Sequence, residues 1–369
     1  MALANLTADA PVRIDVMANS SDERAACERA LARAGIRLPL PHRAAWAKTR
    51  PAVRSLLVAL RGADGDWAAA VGMHAAASRA LPGFRLLRVE RFGETVPRAL
   101  WRAAVDALTE VARREPRVLR LSVEVFSRDD STRAGLGELL ARNGFKRATA
   151  RNWETTLALD LQPREEDLFA SLSPTARRAI RGVAKHPVQI RLIDDRHLAP
   201  RMEALSIETF ARTGGHYQSL WDWAGVIELS RDSPDASRLV GLFRTDRQEA
   251  EALLGFAWGC WNGQSVSYFT GASTRPKDLR RIGIVYPLFW DLIRWAKQAG
   301  ATWFDLGGVT PGGLDSGDPV GGISDFKRLF SKETVNVAED WVLEPHPIPA
   351  RLAGLVSSAV AWLRRAARR

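Results

Sequence analysis

The chain has 369 residues, which fits two domains of ordinary size, and its 46% hydrophobic content lets each half bury a core. Its two cysteines, Cys27 and Cys260, lie far apart without metal spacing, which argues against a disulfide framework or a zinc site and for a reducing, cytoplasmic setting. A formal net charge of +11 favours polyanionic partners, and 13 Trp offer surface for stacking on bases or sugars, although charge alone does not separate a nucleic-acid partner from an arginine-rich composition.

Residues 1–20 read as a loose start, without the basic region and apolar core of a signal peptide. No run approaches eighteen uninterrupted apolar residues, so no spanning helix is expected. A capped helix is predicted over 21–35, from Ser21 to Gly35, followed by a β-hairpin turning at Gly62–Asp66 and an alternating strand over 85–92. A periodic helix over 96–114, a strand over 118–126, a short helix over 132–145 and a strand over 152–161 complete the first half. The second half repeats the order: a helical stretch over 165–186 broken at Pro174, a strand over 189–193, a helix over 198–214 and three strands within 238–273. A helix over 286–300, a strand over 302–308, a glycine-rich loop over 309–322, a short helix and a strand over 335–345 follow. Meander strands and then helix–strand–helix, twice over, indicate an α+β architecture in tandem rather than a Rossmann sheet. The expected division is 1–162 for the first domain, 163–334 for the second, which carries the main motifs, and 335–347 for a strand returning to the first. A basic amphipathic helix over 348–369 is expected to dock on the body, the alternative being weak contact with anionic lipid at the inner face of a membrane.

The run from Gly271 to Gly308, GASTRPKDLRRIGIVYPLFWDLIRWAKQAGATWFDLGG, followed by GISDFKRLF, resembles the second domain of the Fem-type peptidoglycan-bridge aminoacyltransferases (FemABX). SPTARRAIRGVAKHPVQIRL at 173–192 is similar to the basic helix opening that domain, ETFARTGGHYQS at 208–219 to its Thr-x-x-Arg-x-Gly stretch, and HRAAWAKT at 42–49 to a short Trp-x-Lys element. The resemblance covers residues 165–345 well and the first half by element order only. It implies two tandem GNAT-like acyltransferase domains, each a mixed, mainly antiparallel sheet with flanking helices. It also implies transfer of an amino acid from aminoacyl-tRNA to an amine, in the family usually that of a peptidoglycan-precursor stem peptide, linked to lipid or nucleotide. A natural-product amine is the other acceptor considered. No heptad-rich segment matches the coiled-coil arm of some members, which points to the subgroup without it.

An aminoacyl ester is already activated, so its aminolysis needs orientation and oxyanion stabilisation rather than a strong nucleophile. No Gly-x-Ser-x-Gly elbow or His-x-x-x-His pair is present. With the resemblance, Lys327 is the first catalytic candidate, as a cation for the oxyanion, and Asp305 the second, as base or loop anchor. Arg212, His216, Tyr268, Phe326, Gly307, Gly308, Trp46 and Lys48 are the substrate-binding candidates. Arg177, Arg178, Arg181 and Lys185 are the candidates for tRNA phosphates, spread over one helix face. No metal and no cofactor is expected, the aminoacyl-tRNA being the donor substrate. An acyl-CoA N-acyltransferase acting on polysaccharide, lipid or small-molecule precursors is the alternative. Its pyrophosphate loop has only a degraded counterpart, Arg280–Val285, where Val285 stands in place of a small residue. A nucleic-acid-binding module with a decayed acyltransferase fold is the non-enzymatic alternative.

Overall fold

The computed structural model describes residues 12–151, 153–213, 218–279, 282–318 and 321–366. In chain order the first elements are β1 (Arg13–Ala18), α1 (Asp22–Arg33), β2 (Arg54–Arg61), β3 (Trp67–Ala77), β4 (Arg85–Gly93), α2 (Trp101–Arg114), β5 (Val118–Phe126), α3 (Asp130–Arg142) and β6 (Lys146–Ala148). Next come β7 (Thr155–Asp160), α4 (Glu165–Ser171), α5 (Pro174–Gly182), β8 (Val188–Leu192), α6 (Ala199–Arg212), α7 (Trp223–Asp232), β9 (Ser237–Arg244), β10 (Leu253–Trp261) and β11 (Ser265–Ser273). The last are α8 (Val285–Gln298), β12 (Trp303–Gly308), α9 (Gly321–Arg328), β13 (Glu333–Asn336), β14 (Ala338–Leu343) and α10 (Pro347–Ala366).

The chain forms two compact units, one comprising Met1–Ala47, Pro51–Arg151 and Val337–Arg369, the other Lys48–Arg50 and Asn152–Asn336. The first unit holds a seven-stranded sheet in the order β1-β2-β3-β4-β5-β14-β6. Every neighbouring pair is antiparallel except β4 with β5. Both faces of β2 are buried: Val58 and Leu60 join Trp101, Leu108, Leu136 and Leu140 from α2 and α3, while Leu57 and Ala59 meet Cys27 and Leu31 of α1. That double burial explains the nearly unbroken apolar run of this strand.

The second unit holds a seven-stranded sheet in the order β13-β7-β12-β11-β10-β9-β8, again with one parallel pair, β11 with β12. That pairing is short. It joins Ser265–Ser267 to Trp303–Asp305 and then stops. In β10, Phe256, Trp258 and Cys260 are fully buried, as are Leu288, Leu292 and Ile293 of α8.

Four expectations need correction. Residues 13–18 are not loose but form β1, the antiparallel edge partner of β2. Helix α7 was not foreseen, although Trp223, Val226, Ile227 and Ser230 fall at helical spacing and are buried. The strand expected to end the first domain is β7, which pairs with β12 and β13 in the second sheet. The break therefore falls at Arg151 and Asn152 rather than after 162. The strand expected over 335–345 is two strands, β13 in the second sheet and β14 between β5 and β6 in the first. The helix expected to dock, α10, does so on one side only, burying Ala350 and leaving Ile348, Leu352, Leu355 and Trp362 exposed.

Candidate active site

Where β11 and β12 part, the backbone of β12 bends. Leu306 and Gly307 form an irregularity against β7, and Gly307 takes φ 80°, open to glycine at little cost. On β11 the partner irregularity lies opposite Trp258 and Gly259, so Phe269 is the extra residue of a bulge. The bulge sends neighbouring rings to different partners. Tyr268 packs on Phe289 of α8, with centroids 4.2 Å apart, while Phe269 packs on Trp258 at 4.9 Å and Trp221 at 5.2 Å.

Asp305 is 2% exposed at the point of divergence. Its Oδ1 accepts from the Thr156 hydroxyl and from the Gly307 N–H at 2.8 Å, and its Oδ2 accepts from the Ser267 hydroxyl at 2.8 Å. Three donors from β7, β11 and the β12 turn thus converge on one carboxylate. This is the geometry of an anchor that fixes the Gly307–Gly308 path, with the carboxylate oxygens turned to the protein.

Lys327 lies in α9 and is 6% exposed, not the solvated helix lysine that its sequence context allowed. Its Nζ donates to the Gly308 carbonyl at 2.7 Å and lies 3.1 Å from where a Gly307 side chain would begin. Burial pushes its pKa down to about 8, while the Asp305 carboxylate acts in the opposite direction. At neutral pH roughly nine tenths of it is protonated. The ammonium has three donors, and Gly308 takes one.

Aromatic residues in and just past α9 wedge it against α8. Phe326 meets Tyr286 and Phe289 at 5.0 Å each, and Phe330, just past the helix, at 5.3 Å. The polar residues of α9 hold the glycine-rich loop. The Thr310 N–H donates to the Ser324 hydroxyl at 3.0 Å, and the Leu314 N–H to Asp325 at 2.8 Å. Arg328 donates to the Gly312 carbonyl at 3.0 Å and to that of Thr310. One short helix thereby sets both the ammonium and the loop preceding it. Trp153 completes the surroundings: it is 48% exposed, and its indole occupies the space where any Gly308 side chain would begin, 1.6 Å away.

Of the candidates named from sequence, the structure brings together Lys327, Asp305, Gly307, Gly308, Tyr268 and Phe326. Tyr268 is half-buried, with its hydroxyl 2.9 Å from the space a Gly271 side chain would take, and burial raises its pKa so that it stays neutral. Arg212 is elsewhere: it donates to the Ser273 carbonyl at 3.2 Å, at the far end of β11, beside the Thr209 hydroxyl that bonds the same residue. His216 lies outside the described residues. Trp46 is a correction, since it is 2% exposed in the first unit and so a core residue rather than a substrate platform. Lys48 belongs to the second unit and forms an exposed pair with Asp232 at 2.6 Å. Arg177 and Arg181 share a groove with Phe169 and Trp290, Arg181 lying over the Phe169 ring at 4.9 Å and Arg177 donating to the Ala170 carbonyl. Arg178 and Lys185 are exposed and do not line it. Thr156, Ser267, Ser324, Asp325 and Arg328 were missed. Their partners lie up to 149 positions away in the chain, as for Thr156 and Asp305, and no local pattern encodes that.

Two sheets, each with one parallel pair among antiparallel neighbours, and a site at the parting of the second pair define a tandem GNAT-fold protein. A family model for the acetyltransferase (GNAT) domain matches residues 170–328. The architecture is similar to that of FemX. The crystal structure of FemX superposes with a TM-score of 0.65 at 16% identity, covering 83% of this chain and 92% of that one. The structure of L-PGS from Bacillus licheniformis gives 0.51 at 13% identity, covering 96% and 99%. A tandem GNAT protein from the clavulanic acid biosynthesis pathway gives 0.50 at 13% identity, covering 91% and 99%. Among curated proteins, none matches the sequence. Among the described residues there is no cluster of His, Cys, Asp or Glu that could hold a metal, and no helix is long and apolar enough to cross a membrane.

Proposed function

We propose that the chain transfers an amino acid from aminoacyl-tRNA to an amine acceptor, forming an amide. The observation that carries this reading is the buried Lys327 ammonium at the parting of β11 and β12, in a fold of the FemX type. In the proposed step the neutral amine attacks the ester carbonyl carbon. The C–N bond forms, negative charge builds on the carbonyl oxygen, and a Lys327 N–H meets it. The ester C–O bond then breaks, and the proton lost by the amine ends on the departing ribose oxygen. Asp305 acts as a positioning residue, holding the Gly307–Gly308 backbone to which Lys327 is tied. Arg177, Arg178, Arg181 and Lys185 contact tRNA phosphates in this reading. The acceptor is a peptidoglycan-precursor stem peptide or a natural-product amine, and no cofactor takes part.

The second reading, an acyl-CoA N-acyltransferase, draws on the matched acetyltransferase domain. The start of α8 speaks against it. A side chain at Gly283 would begin 2.9 Å from the Tyr286 ring and 3.0 Å from the Ala179 methyl, so the backbone there is already covered, and Pro287 lacks an N–H in the first turn. The two readings separate in a reconstituted extract supplied with charged tRNAs and candidate amines. Ribonuclease should abolish product formation and removal of CoA should leave it intact. Transfer that survives ribonuclease and follows acetyl-CoA would establish the second reading instead.

A further inference from the structure

Helix α10 touches its own unit on one side only. Ala350 is buried and Ala353 and Val356 half-buried, whereas Ile348, Leu352, Leu355 and Trp362 are 82%, 51%, 69% and 66% exposed. At 100° per residue these four fall within an arc of about 80°, so they form one stripe along a helix of about 30 Å. A stripe of this length with no cover is a binding surface in search of an apolar partner. The same stretch contains no Asp or Glu. It carries Arg351, Arg364 and Arg365, and Arg368 and Arg369 follow. Apolar side chains flanked by cations, with a Trp toward the basic end, match the depth profile of a bilayer surface, where acyl chains begin beneath anionic phosphates. A second copy fits less well, because it would bring together two arginine-rich ends of chains that each carry +11.

We propose that α10 lies along an anionic lipid surface, its stripe of Ile348, Leu352, Leu355 and Trp362 in the acyl boundary and its arginines at the lipid phosphates. The helix lies on the bilayer and does not span it, since its cations flank the stripe and no described helix is long and apolar enough to cross. This inference does not depend on the donor or the acceptor of the transfer reaction.

Vesicle flotation of the full chain tests it. The protein should float with phosphatidylcholine–phosphatidylglycerol vesicles, remain unbound with phosphatidylcholine alone, and come off the anionic vesicles as salt is raised. Leu355→Glu with Trp362→Glu should weaken partitioning about tenfold or more, because the stripe supplies the apolar area that holds the helix in the interface. The melting temperature should not move, since both side chains are exposed. Arg364→Gln with Arg365→Gln should weaken binding to the anionic vesicles with the stripe intact. A wild-type chain that does not float, or glutamate variants that float as well as wild type, would overturn the proposal. So would a dimer in sedimentation velocity that the glutamate variants dissolve, which would make the stripe an interface between copies. If those variants also melt early, Leu355→Ser with Trp362→Ser repeats the comparison with a milder change, and undiminished flotation again defeats it.

Discussion

A protonated amine at 6% exposure has given up most of its hydration, and Lys327 releases its proton at about pH 8 rather than 10.5. The folded chain therefore binds this proton less tightly than the unfolded chain does. The cost of burying the charge is present in full below about pH 8 and fades as pH rises toward 10.5. That shift corresponds to about 3 kcal/mol, and losing the hydrogen bond to Gly308 would offset about 1 kcal/mol. Lys327→Met should thus stabilise the protein by about 2 kcal/mol at pH 7, with a smaller gain at higher pH, as read by urea denaturation at both values. The same substitution should lower transfer about a hundredfold if the ammonium meets an oxyanion. A residue that costs stability and supports rate is the pattern of a functional group. In the wild type, turnover should fall above about pH 8 as Lys327 deprotonates. Lys327→Arg should be slower but should lack that falling limb, because guanidinium stays charged. Asp305→Asn should move the limb to lower pH, since the Asp305 carboxylate supports the protonated lysine. A limb that stays in place in both variants would assign the titration to another group.

Among the elements, α5 and α9 show what a sequence can and cannot disclose. Helices α2 and α8 and the strands around them were legible from apolar period and glycine ends, because those signals are local. The Phe-Asp-Leu-Gly-Gly and Phe-Lys pieces were legible as one site for a different reason: the resemblance to the Fem-type second domain, which carries both at this separation. The carboxylate's partners were not, since Thr156 and Ser267 are ordinary residues until the sheet brings them to Asp305. Burial of Lys327 was equally hidden, because its depth depends on the aromatic wedge between α8 and α9. For α5 the sequence shows cations but not their directions. Arg177 and Arg181 line a groove of about 700 Å³ with Phe169 and Trp290, which Arg178 does not line. Replacing Arg177 and Arg181 by Ala should therefore weaken tRNA binding and lower the slope of affinity against salt by about one to two, one for each phosphate no longer neutralised. Arg178→Ala alone should change less. Filter binding over a salt series distinguishes these, and an unchanged slope in the double variant would remove α5 from the tRNA surface.

Across the whole molecule, the order of strands in space departs from their order in the chain. The first unit draws β14 from beyond the second unit and seats it between β5 and β6, with Trp341 opposite Val123 on one side and Arg147 on the other. A chain ending at residue 336 would leave β5 and β6 without the strand that joins them and should lose the cooperative melting of the first unit. A chain ending at residue 346 keeps β14 and should retain it, with calorimetry as the readout. This arrangement also sets a timetable for synthesis. The ribosome makes β1 through β6 first, yet their sheet stays open along the edge of β5 until residues 338–343 have emerged. The second unit, begun later, has all of its strands by residue 336. The half that is translated first is thus the half completed last, and during that interval an apolar strand waits with an unpaired edge, the feature that nascent-chain chaperones recognise and that aggregation exploits.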